Sequence, residues 1–223
     1  MLEDVLLLNE KHYQAAEQIL QRLLPLNSNR TVIGISGESG AGKSELAHVL
    51  GRKIRQHGKL AKILHIDNYY KVPPQEKTAW RKKHGIDKIG LDEINWELIN
   101  KNIREFREGK KAKMPCVDLL TDITDELITD FKPIDYLIVE GLYSLKADVD
   151  LRIFITLTYY ETKKAQLLRG KEPQDAFRFQ VLEQEHRVVQ SLRPLADLIV
   201  TDEYEVIEVA RADLNIKNKS PKN

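Results

Sequence analysis

The segment Gly37-Glu38-Ser39-Gly40-Ala41-Gly42-Lys43-Ser44 constrains this chain more than any other stretch. It satisfies G-x-x-x-x-G-K-[ST]: a backbone that wraps a polyphosphate, a lysine that neutralises it and a hydroxyl suited to Mg²⁺. Ordinary residue frequencies produce a chance match in a chain of this length about once in a hundred. The flanks supply the context the motif requires. Thr31-Val32-Ile33-Gly34-Ile35-Ser36 reads as a buried strand entering the loop, and Leu46, Val49, Leu50 and Ile54 recur at helical spacing after it. The N-terminus of that helix adds its own unpaired N–H groups and dipole to an anion site.

The remaining residues bound the class. A length of 223 residues supports one substantial core, and the formal net charge of +1 gives no global attraction to nucleic acid or an anionic membrane. Cys116 is the only cysteine, which excludes an intrachain disulfide and suits a reducing compartment. No apolar run approaches the ~18 residues of a membrane span, and Met1-Leu2-Glu3-Asp4 is acidic, unlike a secretory signal. The expectation is a soluble cytoplasmic protein with no nucleic-acid or membrane partner; homo-oligomerisation stays open.

Along the chain, residues from about Asn9 to Leu24 form an amphipathic pattern ended by Pro25. Strands are expected at Leu60 to Ile66, Tyr136 to Glu140, Leu151 to Leu157 and, last, Leu198 to Val200. Helices are expected from about Ile94 to Arg107 and from about Ala176 to Leu192. Lys71 to Ile89 reads as a polar surface excursion whose basic run, Arg81-Lys82-Lys83-His84, is read as solvated, with the gathering of an anionic substrate as its alternative, and Lys110 to Phe131 reads as β-like. Trp80 and Trp96 flank this region; a ligand stack and core burial are both open to them. Strands alternating with helices predict an α/β fold, a mainly parallel sheet covered on both faces. The expected organisation is a helical prefix over 1–30, one domain over 31–212 and a disordered tail over 213–223.

Three chemistries compete for such a loop. A GTPase switch has only decoys: Asp87-Lys88-Ile89-Gly90 follows no apolar strand, and Asn100-Lys101-Asn102-Ile103 lacks the base-reading aspartate. An ATPase motor has one decoy, Asp202-Glu203 after the last strand, with little chain left to complete a larger sheet. Small-molecule phosphorylation uses the residues that remain. It needs a carboxylate to orient and finally deprotonate an acceptor hydroxyl, and Asp67 at a strand end offers one. A helix cap or turn role is the alternative for Asp67. Glu140, after Leu137-Ile138-Val139, suits Mg²⁺, with a buried ion pair as its alternative. A cation must also stabilise the transferring group; Lys163, Lys164, Arg169, Lys171 and Arg178 are at hand, and Arg169 is the candidate chosen, against the alternative of a solvated loop.

Val32 to Ser44, then Asp67-Asn68-Tyr69-Tyr70, then Val139-Glu140-Gly141 resemble the uridine kinase and phosphoribulokinase family, over roughly Thr31 to Val200. The resemblance implies a three-layer α/β/α P-loop fold with a small lid and a β-like insertion. It implies Mg²⁺-ATP as donor, held by Gly37, Glu38, Ser39, Gly40, Ala41, Gly42, Lys43 and Ser44. It implies Asp67, with Lys43 and Arg169, as the catalytic set, and Ser44, Glu140 and Asp67 around the metal. Asp92, in Gly90-Leu91-Asp92, and Tyr69 are the implied contacts for a small-molecule hydroxyl acceptor; Asp92 as the N-cap of the following helix is the other reading. Two elements depart from the family: its arginine-rich lid is shortened here, and the pyrimidine-contact element differs. Where uridine kinases carry Pro-Val-Tyr-Asp and then a histidine that contact the pyrimidine, this chain has Pro115-Cys116-Val117-Asp118 and Asp122.

Overall fold

The computed structural model describes residues 6–26, 30–121, 123–162 and 175–210. Helix α1 (Glu10–Leu23) precedes strand β1 (Thr31–Ser36), the phosphate loop and helix α2 (Lys43–Gln56). Strand β2 (Ala61–His65) follows, then α3 (Pro74–His84) and α4 (Trp96–Arg107). Strands β3 (Lys111–Val117) and β4 (Thr124–Asp130) make a separate antiparallel hairpin, the β-like insertion. Strands β5 (Tyr136–Glu140) and β6 (Leu151–Ile155), helix α5 (Ala176–Leu192) and strands β7 (Leu198–Val200) and β8 (Val206–Glu208) complete the chain.

The main sheet runs β2-β5-β1-β6-β7-β8, parallel throughout except for the antiparallel β7–β8 pair. Alternation along each strand feeds two cores. Ile33, Ile35, Ile138, Ile153 and Ile155 pack with α1 and α2 on one face. Val32, Leu137, Val139 and Phe154 pack with α4 and α5 on the other. Every residue of β1 and β5 is buried, as a central parallel strand between two helical layers requires. This is the expected three-layer α/β/α architecture, and α1 belongs to the same core as the sheet through Ala15, Ala16, Ile19, Leu20 and Leu23.

Four expectations need correction. The stretch from Lys71 to Ile89 is not an irregular excursion: it holds α3, opened by Pro74 at its first position, where a missing N–H costs nothing. Its apolar residues are too few to mark a stripe. Arg81 in the basic run is 3% exposed rather than solvated. The helix expected from Ile94 begins at Trp96, and Asn95 caps it by accepting the Leu98 N–H, so Asp92 is not its cap. Finally, β7 is not the last strand, because β8 turns back on it through the 201–205 turn. The exposed Asp202 and Glu203 lie in that turn, and Glu203 pairs with Lys11, so they form no second acidic strand end facing a nucleotide.

Candidate active site

The phosphate loop leaves β1 at the centre of the sheet, where strand order reverses between β5 and β6, the position at which open α/β sheets bind ligands. Gly42 caps α2 with φ +83°, in the left-handed region. A Cβ there would collide with the Tyr204 hydroxyl and lie 2.8 Å from His12 Nε2, so only glycine fits. Tyr204 donates its hydroxyl to the Ala41 carbonyl at 2.9 Å and meets His12 edge-on. Helix α1 and the turn before β8 therefore brace the loop from outside the motif. Lys43 Nζ donates to the Glu38 carbonyl at 2.8 Å, which keeps the ammonium folded over the loop.

Glu140, 5% exposed at the end of β5, connects the loop to the neighbouring strand. Its Oε2 accepts from Ser44 Oγ at 3.2 Å, and its Oε1 lies 2.6 Å from His65 Nδ1. A carboxylate only accepts, so the network assigns the proton to Nδ1. His65 is the register partner of Glu140 in the β2–β5 ladder, so strand pairing itself delivers the imidazole. Gly141 follows with φ +150°, and a Cβ there would lie 2.7 Å from Ile66 Cβ; the close approach explains a Glu-Gly at this strand end. The donor set of hydroxyl and carboxylate oxygen fits Mg²⁺, which prefers oxygen ligands and keeps waters and phosphates in its shell. Among the described residues no group of three or more His, Cys, Asp or Glu side chains is placed to hold a metal.

Asp67 lies two residues past His65, half-buried in the turn Ile66–Tyr69. Two other segments are joined to this turn. Tyr70 forms an antiparallel bridge with Ile94, flanked by bonds from Lys71 N to the Glu93 carbonyl and from Asn95 N to the Tyr69 carbonyl. Asn68 Oδ1 accepts from Val117 N at 3.2 Å. The Asp67 turn, the turn Leu91–Glu93 bearing the exposed Asp92, and the end of β3 thus form one continuous rim. Tyr69 does not contribute its side chain to that rim. It is 2% exposed and donates its hydroxyl to Asn102 Oδ1 at 2.8 Å, inside the core, because the sheet-facing side of this turn is the apolar one.

Below the rim lies a buried ionic group that the sequence did not announce. Arg81 gives two bonds to Glu93, Nε at 2.6 Å and Nη2 at 2.8 Å, and a third from Nη2 to Glu185 at 3.1 Å. Arg178 Nη1 reaches the other Glu185 oxygen at 3.5 Å. Burial works against the Arg81 charge, but the Glu93 and Glu185 carboxylates outweigh it and hold its pKa above the usual value. Burial first, and then the Glu185 and Glu93 charges, push the Tyr143 phenol well above its usual pKa. The Tyr143 hydroxyl has no hydrogen-bond partner among the described residues. The two tryptophans are occupied locally: Trp80 stacks on His84 at 4.3 Å, and Trp96 Nε1 donates to the Leu91 carbonyl.

Arg169, Lys163, Lys164 and Lys171, and with them the lid, lie outside the described residues, as does Asp122. The residues that sequence reasoning passed over are His65, His12, Tyr204, Glu93 and Glu185. Each acts through a partner far away in sequence, so no local pattern marks it.

A mainly parallel sheet with a phosphate loop leaving its central strand, and a serine–glutamate pair beside it, defines a P-loop kinase fold. The family model described as Phosphoribulokinase / Uridine kinase family matches residues 32–163, and the chain belongs to that family. Uridine kinase of Staphylococcus aureus (strain JH9) is 28% identical over 131 residues, 56% of this chain and 61% of that protein's length. The solved structure of a possible uridine kinase from Bacillus stearothermophilus is similar with TM-score 0.64 and 17% identity, covering 83% of this chain and 97% of that one. D-glycerate 3-kinase from Cryptococcus neoformans var. grubii is similar with TM-score 0.60 and 14% identity, covering 90% and 100%. At such identities the structural likenesses speak to the fold alone.

Proposed function

We propose that this chain transfers the γ-phosphoryl group of Mg²⁺-ATP to a hydroxyl of a small molecule, in a cytoplasmic setting. The observation that carries the reading is the chain of contacts Ser44–Glu140–His65, which ties the donor loop to the strand that ends two residues before Asp67. In this reading the backbone N–H groups of 37–44 and the Lys43 ammonium bind the β- and γ-phosphates, the lysine exchanging the Glu38 carbonyl for a phosphate oxygen. Ser44 and Glu140, with Asp67 beside them, hold Mg²⁺, which when bound offsets phosphate charge. Asp92 binds the acceptor's hydroxyls. Asp67 orients the attacking hydroxyl and takes its proton as the new O–P bond forms and the bond to the departing ADP breaks. In a loose transition state that proton leaves late, so orientation matters more than basicity. Arg169 is assigned the developing charge on the transferred group.

Val117 favours an acceptor other than a pyrimidine nucleoside. It stands where uridine kinases carry a stacking tyrosine, it is 3% exposed, and its N–H is used on Asn68. A sugar-like or pantothenate-like acceptor fits this reading. Release of ADP from Mg²⁺-ATP across nucleosides, sugars, glycerate and pantothenate tests both levels. Acceptor-stimulated turnover is expected with at least one of them, and its absence across the panel favours a nucleotide-binding protein without catalysis. Efficient turnover of uridine would overturn the argument from Val117.

A further inference from the structure

Glu38 occupies the second position of the phosphate loop, where the motif accepts any residue and where a carboxylate is an unexpected neighbour for a polyanion. Its side chain is buried, and the residue is 2% exposed. Oε2 accepts from the Tyr159 N–H at 2.8 Å. Oε1 accepts from His186 Nδ1 at 2.8 Å and from Gln190 Nε2 at 2.6 Å. Next to it, the Ser39 carbonyl accepts from Thr162 Oγ1 at 2.6 Å. The loop is therefore held from two directions, by one face of α5 and by the segment following β6. The main chain of Glu38 has a second task, since its carbonyl holds Lys43 Nζ. One residue thus links α5, through its side chain, to the motif lysine, through its backbone.

We propose that Glu38 is a positioning residue for the phosphate donor. With His186 and Gln190 it sets the loop shape in which Lys43 and the loop N–H groups face the phosphates, while its own charge is satisfied by three donors away from them. A buried carboxylate needs such donors, and charge-assisted bonds are the stronger kind. The inference rests on the donor reading above. Glutamine at this position keeps the volume but removes the charge, so whichever way its amide turns, the bonds to Tyr159, His186 and Gln190 are no longer assisted by a carboxylate.

The test is ATP binding by titration calorimetry in the presence of Mg²⁺, beside steady-state kinetics, on the wild-type chain and on Glu38→Gln, His186→Ala and Gln190→Ala. Glu38→Gln is expected to raise the ATP Kd and KM about tenfold, from lost charge-assisted bonds, with kcat at saturating ATP within about threefold of wild type. His186→Ala and Gln190→Ala shift the Kd in the same direction by less. Combined with Glu38→Gln they add little, because the three share one network. Unchanged ATP affinity in all three variants overturns the positioning role while leaving the donor reading intact. Failure of the wild-type chain to bind ATP overturns both. Should Glu38→Gln not fold, the two α5 variants decide the matter by the same split between Kd and kcat.

Discussion

Ser44 donates its hydroxyl to Glu140 Oε2 at 3.2 Å, joining the first turn of α2 to the end of β5 across 96 residues of chain. A hydroxyl from a helix start and a carboxylate from a strand end meet where a hard cation would sit beside bound phosphates. Glu140→Gln keeps the shape and removes the charge. It is expected to raise the Mg²⁺ concentration for half-maximal turnover at least about tenfold, in line with losses at ligand-supporting positions. A Mg²⁺ titration of ADP release measures this, and an unshifted midpoint would remove Glu140 from the metal site.

In the proposed reaction Asp67 serves the acceptor side. Asp67→Asn retains the turn geometry and ATP affinity but cannot take a proton, so turnover should fall by about two or more orders of magnitude. Single-turnover kinetics with saturating ATP distinguish this from weaker binding. Turnover at the wild-type rate would show that another group is the base.

Tyr69 was expected among the substrate contacts and lies in the core, its hydroxyl on Asn102. Tyr69→Phe strands the Asn102 acceptor and should cost about 1–2 kcal/mol of stability by urea unfolding. The acceptor KM should not change. A substantial rise in that KM at unchanged stability would return Tyr69 to the binding site.

The Arg81–Glu93–Glu185 group joins α3, the turn bearing Asp92 and α5. Arg81→Met leaves the buried Glu93 without its guanidinium partner and Glu185 with Arg178 alone, and is expected to destabilise the fold by ~3–5 kcal/mol. Chemical denaturation reads the loss directly. A variant as stable as wild type would mean that the two carboxylates become protonated or hydrated at little cost.

Burial raises the pKa of the Tyr69 and Tyr143 phenols. A raised folded-state pKa contributes stability that is complete below the unfolded phenol's value, about 10, and is lost as pH rises through it toward the folded value. Stability should therefore decline in the alkaline range above about pH 10, with the phenolate absorbance contributed by Tyr69 and Tyr143 appearing together with unfolding. Phenolate formation in these two residues ahead of unfolding would contradict their burial.

Much of the fold was legible because its signals are local. The strand Thr31–Ser36 and the helix Ala176–Leu192 stand at the boundaries expected from apolar runs and periodicity. Helix α3 was not legible, because its residues carry charge on nearly every side and its one deep anchor is Arg81. A basic run reads as solvated until the carboxylates that receive it are known, and those come from residue 93 and residue 185. Tyr69 was misjudged for the matching reason: an aromatic beside an aspartate looks the same in sequence whether its ring faces a ligand or the core.

By itself the sequence determined the phosphate loop, the alternation of strands and helices, and the acids at two strand ends. These depend on residue type and short-range spacing, which a linear text contains. Only the tertiary structure decided that β5 lies between β1 and β2, so that Glu140 reaches Ser44 on one side and His65 on the other. It alone decided that Gly42 is enclosed by His12 and Tyr204, and that the Glu38 carboxylate is spent on α5. A side chain's role follows from the partners that desolvate and pair it, and those partners are chosen by the packing of distant segments.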